Sequence, residues 1–261
     1  MDRRLSLGID FGTNSVRVLL VDLNQGTEIA STAADYPSGE KGILLDRKNP
    51  HLARQYPGDY LVALPKAVKN CLQIASDMGY SPENIDGIGI DGTGSSPIPV
   101  DKTVAPLAFH ETFRNNPNAQ TWLWKDHTSA REAREISELA SHMRPEYLAK
   151  CGGAYSSEWF FSKIFHCLKV DKDVFDAAYS WIELSDYIPA VLCGIRNIHQ
   201  VKRNVCAAGH KAMYNQQWRG LPDEDFLGRL APEMADLRMR LYSTAHTSDQ
   251  TAGMLDGEWS D

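Results

Sequence analysis

Residues 8–17 carry side chains that can bind phosphate. Asp10 stands at the end of an apolar stretch, and small or polar residues follow it. These residues are Gly12, Thr13, Asn14 and Ser15. On a tight turn, backbone N–H groups, hydroxyls and amides can donate to phosphoryl oxygens, and a nearby carboxylate can orient a magnesium shell. The same residues also make an ordinary β-hairpin turn, so the motif alone leaves both interpretations open.

A second glycine pattern, G-I-G-I-D-G at residues 87–92, has the G-x-G-x-x-G spacing of a dinucleotide-binding turn. That turn needs its glycines after a strand and at a helix N-terminus, where free N–H groups meet pyrophosphate. Here the first two glycines fall within a predicted strand, and Pro97 and Pro99 oppose a helix soon afterwards. The segment is therefore predicted not to bind NAD.

Three predicted strands hold the first motif in place. Residues 5–11, 16–22 and 28–34 are rich in Leu, Val and Ile, and turn residues separate them. They predict an antiparallel meander whose first turn carries the phosphate-binding candidates.

A helix and a fourth strand follow the meander. Apolar residues recur at helical spacing over residues 61–78, with Asp59 as the expected N-cap and Gly79 as the expected end. Residues 85–90 then predict a short buried strand, which a helical crossover returns parallel to the first strand. Meander, helix and strand are the opening order of the ribonuclease-H-like α/β fold, so we expect a mixed sheet flanked by helices.

The second half of the chain is expected to be mainly helical. Helices are predicted at residues 127–140, 146–151, 158–168 and 185–193, a strand at 179–182, and a loop with short helices at 196–219.

Composition argues against several classes of function. The 261 residues include 27 Lys and Arg against 34 Asp and Glu, a net charge of −7, so no basic surface for nucleic acid or anionic lipid is expected. The apolar runs are far shorter than the ~20 residues of a membrane span. Five separated cysteines without C-x-x-C favour buried thiols in a reducing compartment. We expect a cytoplasmic protein without nucleic-acid or membrane partners.

The D-F-G-T-N-S segment at residues 10–15 resembles the first phosphate loop of the actin- and hexokinase-like ATPases, specifically of the FGGY carbohydrate kinases. Four further segments resemble that family: residues 89–97, 123–128, 152–163 and 208–211. They read G-I-D-G-T-G-S-S-P, L-W-K-D-H-T, G-G-A-Y-S-S-E-W-F-F-S-K and A-G-H-K. The resemblance covers essentially the whole chain, and the set of segments is similar to the L-ribulokinases in particular.

The resemblance implies a kinase that uses ATP and Mg²⁺ to phosphorylate the 5-hydroxyl of L-ribulose in arabinose catabolism. It makes Asp10 the catalytic, metal-orienting acid. It assigns the ATP phosphates to Gly12, Thr13, Asn14 and Ser15. Arg17 is a weaker phosphate candidate, and we favour an ion pair with an acid on the sheet.

The resemblance also implies a set of sugar-contacting residues. They are Ser95, Ser96, Asp126, Glu158 and Lys211. Mixed polar chemistry suits a polyol, because a pocket group left unpaired in a buried site costs about 1–3 kcal/mol. Asp126 has an alternative role as the cap of a helix that begins near Thr128. Trp124 and Trp159 can wall the pocket, although lone aromatic residues are more often core.

FGGY kinases have two lobes with ATP between them, and residues 1–261 resemble the N-terminal, sugar-binding lobe. The family's general base lies in a G-A-F-D-like segment, and the setting of Asp249 resembles the stretch upstream of it. We therefore expect the base, the adenine pocket and the second lobe beyond Asp261, and very little kinase activity from this chain alone.

Two other functions stay open. A kinase of the same fold can take another pentulose, a pentitol or glycerol. A non-catalytic actin-like or sugar-binding module would bind ligand without transferring phosphate; the phosphate turn argues against it and the missing base argues for it. A homodimer is compatible with the sequence, which does not fix the oligomeric state.

Overall fold

The structure is a computed structural model that describes residues 4–260. The chain divides into two compact units. The first consists of Met1–Leu45 and Gln55–Thr93, and the second of Asp46–Arg54 and Gly94–Asp261.

The first unit is built on a four-stranded mixed sheet in the order β3-β2-β1-β6. Its strands are β1 (Leu5–Phe11), β2 (Ser15–Asp22), β3 (Thr27–Asp35) and β6 (Ile85–Gly92). The first three pair antiparallel, and β6 pairs parallel to β1. The predicted meander and the predicted parallel return are therefore confirmed.

One face of this sheet packs against helix α1 (Pro57–Asp77). Strand residues alternate between the two faces. Leu5, Leu7, Ile9 and Phe11 are buried on one face, which leaves Asp10 on the other. This alternation is what presents the carboxylate next to the β1–β2 turn.

Helix α1 begins three residues earlier than predicted. Tyr56 is its N-cap and Pro57 occupies the first turn, a position that proline favours because its missing N–H would be unpaired there anyway. Asp59 is therefore not the cap; it is buried and accepts hydrogen bonds from Ser38 N at 3.0 Å and Ser38 Oγ at 2.8 Å. Met78, expected on the buried face, is 56% exposed.

Strand β6 is placed as predicted, but it is not buried. It lies at an edge of the sheet, and Ile88 is 38% exposed. The structure places Gly87 and Gly89 inside this strand, and β7 (Pro97–Val100) is the next strand along the chain. The segment therefore lacks the strand–turn–helix geometry of a dinucleotide site, as predicted.

The second unit is mainly helical. Its helices are α2 (Ala130–Met143), α3 (Pro145–Ala149), α4 (Phe160–Val170), α5 (Lys172–Ala177), α6 (Leu184–Leu192), α7 (Val205–Lys211), α8 (Glu224–Leu230), α9 (Pro232–Arg238) and α10 (Gly257–Ser260). The remaining strands are β4 (Leu44–Asp46), β5 (Asn49–Gln55), β8 (Thr121–Trp122) and β9 (Ser180–Glu183). The predicted helices at residues 127–140, 146–151, 158–168 and 185–193 correspond to α2, α3, α4 and α6.

Two small sheets position the candidate sugar residues. Strands β4, β5 and β8 form a three-stranded sheet in that order, and β7 pairs antiparallel with β9. The β7–β9 register sets Pro97 opposite Glu183, which brings the 94–96 segment beside the start of α6. Trp122 and Trp181 are fully buried in the core next to these strands and pack edge to face at 6.2 Å.

Among residues 4–260, no helix combines the length and the apolar character that a bilayer crossing requires.

Candidate active site

The β1–β2 turn is held by hydrogen bonds to its carbonyl groups. Gly12 N donates to Ser15 O at 3.0 Å and closes the turn. Gln55 Nε2 donates to Thr13 O at 2.7 Å, and Asn14 O accepts from Tyr36 N at 3.0 Å. These bonds fix the turn from the protein side, so the four predicted phosphate residues stand on one short, constrained segment.

Asp10 lies beside this turn and forms an ion pair with Arg17 across the strand pair. Both side chains are partly exposed. The expectation that Arg17 pairs with an acid on the sheet is confirmed. The donor set fits Mg²⁺, which usually takes one or two protein carboxylates and completes its shell with water and phosphate oxygens. A bound cation would share the Asp10 carboxylate with Arg17.

The close packing at the turn also explains its glycine. A Cβ atom on Gly12 would lie 3.2 Å from Ser15 O and 3.3 Å from Nη2 of Arg17. Any larger residue would therefore push against both the turn and the ion pair.

Ser95 and Ser96 lie in the second unit and are fully buried. Ser95 Oγ donates to Glu183, and Ser96 N donates to Glu183 Oε2 at 2.7 Å. Burial raises the pKa of the Glu183 carboxyl. A sugar hydroxyl that reaches Ser95 Oγ would share that atom with Glu183.

Lys163 on α4 completes the surroundings of this segment. Its side chain is fully buried, and Nζ donates to Ser95 O and Leu123 O, each at 2.8 Å, and to Trp122 O at 3.4 Å. Burial lowers the pKa of the ammonium group, while the charges of Glu183 and Glu158 raise it. One cation thus joins the 94–96 segment to the loop that follows β8.

Asp126 is buried and forms an ion pair with Arg54 of β5. Its Oδ2 also accepts from Ala53 N at 2.7 Å, and its Oδ1 accepts from Thr128 N at 3.1 Å and from the Thr128 hydroxyl at 2.5 Å. The Arg54 guanidinium lies 3.4 Å from the centre of the Trp122 ring. Helix α2 begins only at Ala130 with Ser129 as its N-cap, so the alternative prediction of Asp126 as that cap is wrong.

Glu158 and Lys211 flank the same region of the second unit. Glu158 Oε1 lies 3.9 Å from His127 Nε2, and Lys211 Nζ lies 5.6 Å from the centre of the Trp159 ring. The Tyr155 hydroxyl donates to Lys211 O at 2.5 Å. The charges of both Glu158 and Lys211 act on the pKa of Lys163.

The structure therefore bonds Ser95 to Lys163 and connects Asp126 to Lys163 through the loop that contains Leu123. Glu158 and Lys211 are linked to Lys163 by the effect of their charges on its pKa. Sequence reasoning did not single out Lys163, Glu183 or Arg54. Lys163 and Glu183 are charged residues with mainly apolar neighbours in the sequence, and that pattern is the signal that could have identified them, because charged side chains are rarely buried unless paired. Arg54, which Gln55 follows, carries no such signal.

Three comparisons place this geometry among known proteins. Residues 5–246 match the model of the N-terminal domain of the FGGY family of carbohydrate kinases. The chain belongs to this family. A ribulokinase of Vibrio parahaemolyticus is 40% identical over 97% of this chain and 44% of its own length. A ribulokinase of Shouchella clausii is 36% identical over 99% of this chain and 46% of its own length.

Solved structures of sugar kinases show the same fold. The xylulose kinase from Rhodospirillum rubrum superposes with a TM-score of 0.72 at 18% identity, over 98% of this chain and 46% of that chain. The predicted ribonuclease-H-like, actin- and hexokinase-like ATPase fold is thus confirmed. The chain spans a little under half the length of these relatives.

Proposed function

We propose that this FGGY chain is the N-terminal, sugar-binding lobe of a kinase that transfers the γ-phosphoryl group of ATP to the 5-hydroxyl of L-ribulose. The observation that carries the proposal is the 36–40% identity to two ribulokinases over nearly the whole chain. The polar residues around Lys163 support it, since they offer a ketopentose both donors and acceptors.

The proposed chemistry depends on positioning and charge. Phosphoryl transfer requires aligned reactants and neutralised phosphate charge more than covalent help from the protein. Bound Mg²⁺ would supply part of that neutralisation at Asp10. The Gly12–Ser15 turn, made of Gly12, Thr13, Asn14 and Ser15, would donate hydrogen bonds to the phosphates of ATP.

The sugar would be held by a second set of groups. Lys211 supplies a cation, Glu158 an acceptor, and the 94–96 segment a fixed wall. In this proposal Asp126 contributes from the buried side, where its carboxylate already accepts from Arg54. In this proposal the general base and the adenine pocket lie in the part of the relatives that this chain does not match. We also propose a cytoplasmic location.

Isothermal calorimetry on this chain tests the proposal. We expect L-ribulose to bind and ATP to bind negligibly. Lys211→Met should weaken L-ribulose binding, while Lys150→Met, an exposed lysine after α3, is the matched control. Tight ATP binding without sugar binding would instead indicate an actin-like module. Preferential binding of D-xylulose, a pentitol or glycerol in the same assay would change the substrate and keep the kinase assignment.

A further inference from the structure

The 94–96 segment is held from two sides by charged groups that no solvent reaches. Lys163 binds the Ser95 carbonyl, and Glu183 binds the Ser95 hydroxyl and the Ser96 amide. Leu184 N adds a bond to Ser96 O at 3.2 Å. The orientation of the two peptide groups is therefore set by side chains from α4 and from the end of β9.

Lys163 also reaches the loop after β8. Its bonds to Leu123 O and Trp122 O fix the backbone three residues before Asp126. The turn that leads into its own helix carries Glu158. Three of the segments that resemble sugar-facing loops of FGGY kinases thus meet at one ammonium group.

We propose that Lys163, together with Glu183, is a positioning residue that holds the three proposed sugar-facing segments in the arrangement that L-ribulose needs. The inference rests on the proposed function, since it concerns the same proposed sugar-binding residues. A purely structural role predicts that removing these charges changes stability alone. A positioning role predicts that sugar affinity falls even where stability is retained.

The experiment measures L-ribulose affinity by calorimetry and stability by urea unfolding on the same preparations of this chain. Lys163→Met should weaken binding by about tenfold or more, because three carbonyl groups lose their donor and the loops are free to shift. The matched control is Lys169→Met on the same helix, where Lys169 pairs with Glu135 at the surface. This control should stay within about twofold of wild type.

Two further variants separate positioning from folding. Glu183→Gln keeps an oxygen that accepts from Ser96 N, and its amide nitrogen can donate to Ser95 Oγ, which reverses the direction of that bond. It should therefore retain affinity within about threefold, whereas Glu183→Met should lose about tenfold. The double variant Lys163→Met with Glu183→Met removes both buried charges, but the backbone groups that bonded to the two side chains lose their partners. We expect its sugar affinity to stay as low as that of Lys163→Met, whatever its unfolding midpoint.

The outcomes divide clearly. If the wild-type chain binds L-ribulose and a folded Lys163→Met or double variant binds it equally well, the positioning role is overturned and the proposed function stands. A sugar affinity that recovers in step with stability in the double variant also overturns it. Failure of the wild-type chain to bind any sugar overturns the proposed function, and the inference falls with it.

Discussion

Asp10 carries a carboxylate that is partly exposed, lies at the end of a buried strand and has one cation beside it. Arg17 and a phosphate-bound metal ion would compete for the same oxygens. Because the ion pair is partly exposed, its own contribution to stability is small, about 0–1 kcal/mol. The charge of Asp10 is therefore available for function at little cost to the fold.

Asp10→Asn tests this role in an assay that combines this chain with the part of the ribulokinase relative that it does not match. We expect kcat for L-ribulose phosphorylation to fall by about 10²-fold or more, since one lost electrostatic contact at the reacting group costs that much. The KM for L-ribulose should change little. Steady-state kinetics measures both, and Asp86→Asn is the matched control because Asp86, on β6, also forms a partly exposed ion pair with an arginine, Arg4. Unaltered turnover in Asp10→Asn would remove Asp10 from the mechanism.

Asp186 is another buried carboxyl of the second unit. It lies 3.8 Å from Arg203 Nη1 and accepts from Asn204 N at 2.7 Å. Burial raises its pKa from the usual 3.8 to about 7, and the Arg203 cation opposes that rise. The folded state therefore holds this proton more tightly than the unfolded state does. The stabilisation is full below about pH 4 and is lost as the pH rises through 7.

Asp186→Asn should remove that pH dependence. Asn retains an oxygen for Asn204 N and does not ionise. We expect the stability of wild type relative to the variant to fall by up to about 4 kcal/mol between pH 4 and pH 8. Urea unfolding at closely spaced pH values measures it. A difference that stays constant or grows with pH would contradict the raised pKa.

At the scale of elements, helix α7 runs from Asn204, which bonds to the buried Asp186, to Lys211 of the proposed sugar site. Asn204 Oδ1 accepts from Cys206 N at 2.7 Å and caps the helix, and Lys211 lies in its last turn. A change at the start of this short helix is therefore expected to reach the sugar site.

Asn204→Ala tests that connection. We expect stability to fall by about 1 kcal/mol from the lost cap, and L-ribulose affinity to fall several-fold with it. Asn215→Ala is the matched control, because Asn215 caps the turn 216–218 in the same way, with Gln217 N at 2.9 Å. Calorimetry measures the L-ribulose affinity of both variants, and urea unfolding measures their stability. Equal loss of affinity in the two variants would show that α7 has no specific effect on L-ribulose binding.

Local patterns were enough to predict most elements. Alternation and turn residues gave β1 its observed bounds of Leu5 and Phe11. The burial of β6 and the capping role of Asp59 were predicted wrongly, because each depends on what the element packs against. Strand β6 lies at the edge of the sheet, so Ile88 is exposed. The Asp59 carboxylate accepts hydrogen bonds from Ser38 and therefore does not cap the helix.

The candidate site was harder to predict than the fold. The phosphate turn is contiguous in sequence, so spacing alone could point to it. Lys163, Glu183 and Arg54 come from separate elements, and their partners are mainly backbone carbonyls and amides. Every residue has a backbone carbonyl group, so the sequence does not indicate which residue a buried charge will contact through the backbone. The roles of all predicted site residues stay predictions.

At the scale of the whole molecule, the chain matches 44% of the ribulokinase from Vibrio parahaemolyticus. We expect the chain alone to bind L-ribulose but to release ADP at least about 10²-fold more slowly than when it is combined with the unmatched part of that relative, which would supply the general base. A coupled ADP-release assay compares the two, with the unmatched part alone as control. Equal rates would place the base within this chain.

Residues 46–54 belong to the second unit, although residues of the first unit precede and follow them in the chain, and this affects how the protein folds during synthesis. The remainder of the first unit is complete once Thr93 has left the ribosome, since domains generally fold as units during synthesis. Arg54 cannot form its ion pair until Asp126 has been translated. During that interval the nascent chain exposes the edge of β5 that later pairs with β8, and this short edge is where we expect a chaperone to bind.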